Sequence, residues 1–311
     1  MTVTPTILAC STAADVQAVL RSVSGQSAAN FTPSHLCGPM IYRSATGLIW
    51  KEELQGHHLY SEGGTAERAL SAYTGSPRWM GRTEHRTTFS WAARDASHWS
   101  FPDDFAWLLI VGNRRPGLGG GFIGKIRGPA DGNGYDVPGP SLGLDRGPWL
   151  TSNGGLTTDG PAFTFDVSGV GIQRYSDENG ITPQSDRSFT PNEDTLSDGT
   201  GNWHDGAPRA FIFGFNTQAV GGPSAYLAGA STAHQISEVA QNCTAESPGD
   251  ASASDCVMRV GMVEYGFGTP ESPFICYGSH DWYMLAAFTG AAAANIHTHA
   301  NAICVALQAT L

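Results

Sequence analysis

The segment Arg209-Ala-Phe-Ile-Phe-Gly-Phe-Asn-Thr-Gln-Ala-Val-Gly-Gly-Pro-Ser-Ala-Tyr-Leu-Ala-Gly229 constrains the fold more than any other part of the chain. In an extended conformation Phe211, Phe213 and Phe215 fall on one face, and Ala210, Ile212 and Gly214 on the other. Both faces are apolar, so this is an inner strand of a packed β structure, followed by a Gly-Gly-Pro loop and a second short apolar run. The same pattern of short apolar runs punctuated by Gly, Pro and Asx recurs along most of the chain.

Composition agrees. Only 14% of the 311 residues are charged, whereas 39 glycines and 18 prolines call for many turns and long loops. An apolar content of 41% is enough for a folded core, and no stretch has the apolar length needed to cross a bilayer. The net charge of −11 argues against a nucleic-acid binder, because neutralising phosphates requires a basic surface. Charge is unevenly placed. Arg78 to Gly128 carries eight Lys/Arg against four Asp/Glu, and Ser176 to Asp205 carries seven acids against Arg187 alone. Such a split fits complementary surfaces of a repeating assembly, and equally two independently solvated loops.

Six cysteines in a chain this long are not a disulfide scaffold, and none forms a Cys-x-x-Cys pair. Cys243 and Cys256 flank a small polar loop and are the best disulfide candidates, while Cys304 reads as a small buried residue. The N-terminus lacks the basic region and long apolar stretch of a secretory leader. A chain made in a cytosol and later exposed outside it, as virion proteins are, is the expectation.

Local patterns place the elements. Val16, Val19, Leu20 and Val23 share a helical face, with Ser11 as a cap, predicting a helix to about Ser22. Met40–Tyr42 and Leu48–Trp50 read as a hairpin, and Ser61–Tyr73 as a second short helix. Thr87–Arg94 reads as a strand with Phe89, Trp91 and Ala93 inward and Ser90 and Arg94 outward. Phe105–Val111 is apolar on both faces, as in a central strand. Further strands are expected at Phe122–Ile126, Phe163–Val167, Cys256–Tyr265, Asp281–Phe288 and, last, Ala302–Leu307. Residues 129–160 and 176–208 show little periodicity, and loops of that length are usually functional or assembly-forming.

Several motifs lack the context their chemistry needs. Gly119-Gly-Gly121-Phe-Ile-Gly124 matches a dinucleotide fingerprint, but Lys125-Ile-Arg-Gly-Pro129 cannot open the helix that would hold a pyrophosphate. Gly139-Pro-Ser141-Leu-Gly143 matches a nucleophile elbow, but its prolines make it a loop. No Glu-x-Asp-x-x-Glu supplies the paired carboxylates of a jelly-roll glycosidase, and Glu264 stands alone on its strand. His297 and His299 would share one side of an extended segment, yet nothing nearby completes a ligand set, so no metal site is assigned. His57 and His58 read as surface residues.

The binding candidates are aromatic. Trp203, His204 and Asp205 close the acidic loop and combine a stacking ring with polar groups, as sugar-binding loops do; Trp203 pinning the loop to the core is the competing reading. Trp79 and Trp99 lie in Arg-rich loops, where they either anchor an interface or pack inward.

The succession Thr87–Arg94, Trp107–Val111, Gly121–Ile126, Ala210–Phe215 with Ala225–Gly229, Val257–Gly261 and Trp282–Ala287 resembles that of concanavalin-like and laminin-G-like jelly rolls, over about residues 85–290. The resemblance implies a mainly β jelly-roll sandwich with long loops and one or two short helices. An N-terminal helix and hairpin segment (1–80) would pack on a sandwich spanning 81–311. The long loops and the lack of a calcium-ligand set depart from that pattern, so no sugar or metal site is carried over. Such domains occur in the virion proteins of tailed bacteriophages as decoration, tail or fibre components. Together with two lysines against fifteen arginines, the resemblance implies a non-enzymatic virion structural protein without cofactor. It would form a homo-oligomer, contact other virion proteins and touch a host surface glycan. The alternatives are a secreted carbohydrate-binding module and a polysaccharide-degrading enzyme.

Overall fold

The computed structural model describes residues 13–25, 27–62, 81–83, 90–95, 97–99, 104–113, 120–127, 141–145, 162–166, 186–189, 208–220, 224–230, 235–241, 256–269, 272–277 and 280–311. The chain opens with helix α1 (Ala13–Ser24) and a single 3-10 turn at Ala28–Phe31. Strands follow as β1 (His35–Ser44), β2 (Gly47–Glu52), β3 (Leu59–Glu62), β4 (Gly81–Thr83), β5 (Ser90–Ala93), β6 (Phe105–Asn113), β7 (Gly120–Arg127), β8 (Ser141–Asp145) and β9 (Ala162–Asp166). The second half holds β10 (Asp186–Phe189), β11 (Arg209–Asn216), β12 (Ser224–Ala230), β13 (Gln235–Gln241), β14 (Cys256–Val260), β15 (Met262–Thr269), β16 (Ser272–Tyr277), β17 (His280–Thr289) and helix α2 (Gly290–Gln308).

Among the described residues, fifteen strands join one sheet in the order β10-β9-β8-β7-β14-β5-β3-β2-β1-β17-β6-β11-β12-β13, with β4 also paired to β17. Every pairing is antiparallel. Strands lie about 4.8 Å apart, so a flat sheet of this width would span about 60 Å and leave one face wet. Instead Trp91, Leu59 and Val260 share one buried cluster with Trp107, Phe213 and Trp282, and no residue of that cluster belongs to a helix. These side chains cover each other, and the end strands β10 and β13 come close together. The sheet therefore curls over into a sandwich.

The bend lies at β1. It follows β17 from His35 to Cys37, then its register with β2 breaks between Cys37 and Ile41, and β4 takes its place beside β17 at residues 280–282. Extra residues in one strand bend it and raise its twist. Trp50 locks the corner, donating from Nε1 to the Gly38 carbonyl at 2.8 Å while its ring packs against Trp91 and Trp282.

The opposite faces of β6, β11, β12 and β17 form a second apolar cluster with both helices. Val16 and Leu20 of α1, and Ala293, Ile296, Ala300, Ile303 and Leu307 of α2, meet Leu108, Ile110, Ile212 and Phe288 there. This explains why Phe105–Val111 and the opening segment at 209–216 are buried on both sides, as their sequences predict. Within β11, Gly214 has a reason of its own: a β-carbon there would stand 2.5 Å from the Tyr226 hydroxyl and 2.6 Å from the Phe105 carbonyl.

The fold class is the expected one, mainly β with an antiparallel sandwich and two helices. Several local expectations are corrected. Ala302–Leu307 is helical, because buried positions spaced 293, 296, 300, 303, 304 and 307 follow a helical period in an alanine-rich stretch of high helix propensity. His297 and His299 consequently lie on a helix, two positions and about 200° apart. His297 bonds Asn216 at 3.0 Å and meets the Tyr226 ring edge-on. Cys256–Tyr265 is two strands, broken at Gly261, whose φ of +81° suits glycine. Ser61 and Glu62 end β3 rather than start a helix. Ser141–Gly143 belongs to β8, and β10 lies inside the stretch read as aperiodic; ladders to β7 and β9 impose strand geometry where local pattern is weak. Ser90, expected outward, stands opposite Glu62 yet is buried. Ser11 and Cys243 lie outside the described residues.

Candidate functional site

Trp79, Trp203, His204 and Asp205 lie outside the described residues. Trp99 does not present its ring to a partner: it is wholly buried, donating from Nε1 to the His57 carbonyl at 2.9 Å and stacking on His35 with ring centres 4.3 Å apart. Its φ of +59° lies in the left-handed region, a strain of about 1–3 kcal/mol for a bulky residue, which these contacts hold in place.

Trp99 ends a ladder of rings that brings together residues far apart in sequence. His35 Nε2 lies 2.9 Å from His57 Nδ1, and His57 stacks on His98 at 3.8 Å with planes 9° apart. The hydrogen-bond directions follow from Ser34, whose hydroxyl donates to the Ala287 carbonyl at 3.0 Å and therefore accepts from His35 Nδ1 at 3.2 Å. His35 Nε2 is then the acceptor and His57 Nδ1 the donor. Burial, opposed by the nearby Glu52 carboxylate and reinforced by His57 and His98, lowers the His35 pKa to about 4. Burial and His98 also lower that of His57.

Beneath the ladder Glu52 is buried and saturated. Oε1 accepts from the Leu36 and Leu54 amides, and Oε2 from the Gln55 and His57 amides, at 2.7–3.2 Å. This carboxylate shapes the turn that carries His57 and is already fully engaged. Among the described residues no group of three or more His, Cys, Asp or Glu side chains is arranged to hold a metal ion. His57, expected at the surface, is instead a half-buried rung.

The candidate ligand site is a cleft of about 400 Å³ at the other end of β2. It is lined by the turn residues Ser44, Thr46 and Gly47, by Leu48, by Tyr60, Ser61 and Glu62 of β3, by Ala92, Ala93 and Arg94 at the end of β5, and by Val257. Cross-strand register builds it. Tyr60 stands between Ile49 and Ala92, and Ala92 beside Arg259, so these four share one row on the outer face. The Arg94 guanidinium lies over the Tyr60 ring, 3.8 Å from its centre. Glu62 accepts from Arg259 Nε at 3.1 Å. Ser61 Oγ accepts the Leu48 amide at 2.9 Å, which leaves its own proton to give.

Among the described residues the lining holds one carboxylate, Glu62, and it is paired with Arg259. The sequence offered one usable sign of the cleft, the outward Arg94 beside an aromatic-rich strand. Nothing local marks Tyr60, and Ser61 and Glu62 open a stretch whose sequence pattern suits a helix.

The chain matches no family model and no curated protein. Among solved structures it is similar to the exoplasmic/lumenal domain of VIP36 in its Ca2+/Man3GlcNAc-bound form, at 12% identity and a TM-score of 0.39, over 75% of this chain and 84% of that one. A second is the enzymatically active domain of bacteriophage CBA120 tailspike protein 2, at 10% identity and a TM-score of 0.40, over 71% of this chain but only 27% of the tailspike. A third is alginate lyase Aly36B, at 12% identity and a TM-score of 0.27, over 76% and 82%.

Proposed function

We propose that this chain is a non-enzymatic virion structural protein, assembling through contacts with its own copies and with other virion proteins and touching a surface glycan through the cleft beside Tyr60. The observation that carries the binding part is the cleft itself. It is about 400 Å³ in volume, sits on strands paired along both edges, and combines a ring-stacked arginine with short hydroxyl side chains. Small-molecule sites have this size and this mix of apolar wall with few polar groups. The assembly part is supported by the charge split between residues 78–128 and 176–205 and by the preference for arginine over lysine, since arginine dominates buried protein contacts.

Sedimentation analysis over a wide concentration range, with a parallel incubation on polysaccharides of varied linkage, tests this reading. The expected outcome is a multimer and no released product. A monomer that binds glycan would favour a free-standing lectin-like module, which the same cleft supports. Sustained turnover lost in Glu62→Gln would overturn the reading in favour of an enzyme.

A further inference from the structure

We infer that the cleft takes a carboxylated saccharide, with Arg94 gripping the carboxylate; this rests on the binding reading of the same site. A guanidinium has five N–H donors in a plane, and stacking on a ring uses its face while leaving the donor edge free. Arg94 is stacked in this way on Tyr60, and among the described residues it makes no hydrogen bond or ion pair. Glu62, the cleft's carboxylate, is already paired with Arg259. Arg94 is thus the uncompensated charge of the lining, its guanidinium centred 3.8 Å above the Tyr60 ring and its N–H donors open to a carboxylate. The chain as a whole carries −11, so long-range attraction does not bring an anion here and the local fork must do so.

The surroundings favour a sugar acid over a peptide carboxylate. β2 is paired with β1 and β3, β3 with β2 and β5, and β5 with β3 and β14, so no open edge exists here for an extended peptide to join. What the cleft offers is a short apolar wall at Ala92 and Val257 beside the Ser61 and Thr46 hydroxyls. A ring with one flatter apolar face and a rim of hydroxyls matches both.

Calorimetric titration of the full chain with a short oligoglucuronate, the matching neutral oligoglucose and a short peptide with a free C-terminus tests the inference. Oligoglucuronate should bind about tenfold or more tighter than oligoglucose, the increment expected of charge-assisted hydrogen bonds. Arg94→Gln should erase that preference with at most a small drop in Tm from the lost contact with Tyr60, and Arg94→Lys should keep part of it, because lysine retains the charge but not the fork. Equal affinity for the two saccharides, or a preference that survives Arg94→Gln, would overturn it. So would binding of the peptide in place of oligoglucuronate. If neither saccharide binds while the protein still assembles, the inference fails and the assembly reading stands; turnover of oligoglucuronate would overturn the non-enzymatic reading and leave the inference standing.

Discussion

The two halves of the curled sheet differ in what lies on their outer faces. Strands β17, β6, β11 and β12 are sealed by α1 and α2, and their outward residues, such as Leu108, Ile110 and Ile212, are as buried as those facing the sandwich interior. Strands β2, β3, β5 and β14 face the same interior with Trp50, Leu59, Trp91 and Val260, but outward they carry Ile49, Tyr60 and Arg259, with Arg94 and Glu62 alongside. Helices cover the first half because its strands are apolar twice over, and water cannot be left on either face. The second half carries polar and charged side chains outward among the described residues, and the candidate site lies there.

The largest expected effects belong to the sealed half. Phe213→Ala, in the interior, should cost about 3–5 kcal/mol, and Ile212→Ala, its neighbour on the helix-covered face, about 2–5 kcal/mol. Tyr60→Ala on the open face should cost within about 1 kcal/mol, mostly the lost Arg94 stacking. Urea unfolding of the three variants measures this. An Ile212→Ala protein as stable as Tyr60→Ala would mean that the helices do not seal that face.

Next in size is a pH effect at the start of β1, where the buried His35 sits beside β17. Its folded pKa of about 4 lies below the ordinary histidine value of about 6.5, so the folded state binds fewer protons than the unfolded state between these values. Stability is then fully present above about pH 6.5 and falls as the pH drops toward about 4, with no further loss from this group below that. The full effect is about 3 kcal/mol. Thermal melts from pH 7.5 to 3.5 should show it, and His35→Gln should flatten the profile; an unchanged slope in that variant would assign the acid sensitivity elsewhere.

Glu52→Gln should cost about 1–3 kcal/mol, since an amide has one accepting oxygen and two of the four backbone N–H groups now bonded would lose their partner. Amide exchange at residues 54–57 should quicken with it. The smallest change is expected at the exposed pair: Glu62→Gln should alter stability by less than about 1 kcal/mol, because partly solvated ion pairs contribute little. A larger loss would show that the open face is part of the fold's support.

Much of the sandwich is legible in particular residues. Phe211, Phe213 and Phe215 against Ala210, Ile212 and Gly214 announce a strand buried on two sides, and Val16 with Leu20 announces a helix, because side-chain direction repeats every two residues in a strand and about every 3.6 in a helix. Short apolar runs defeat the same reasoning. Cys304 and its neighbours suit either period, and only the contacts of Ile296, Ala300 and Leu307 with the sheet decide for a helix. β8 and β10 have hardly any period of their own and take it from their ladders.

The site was far less legible than the fold. Tyr60, Arg94 and Val257 meet in one cleft, and His35, His57 and His98 in one stack, although long stretches of chain separate them. Alternation along the sequence determined which residues turn inward and which outward, since that depends only on the geometry of neighbouring peptide units. Which inward rings touch, where β1 bends, and which outward side chains share a cleft were decided by the tertiary structure alone, because pairing order and curl arise from burying the whole sheet at once, and no local segment carries that free energy.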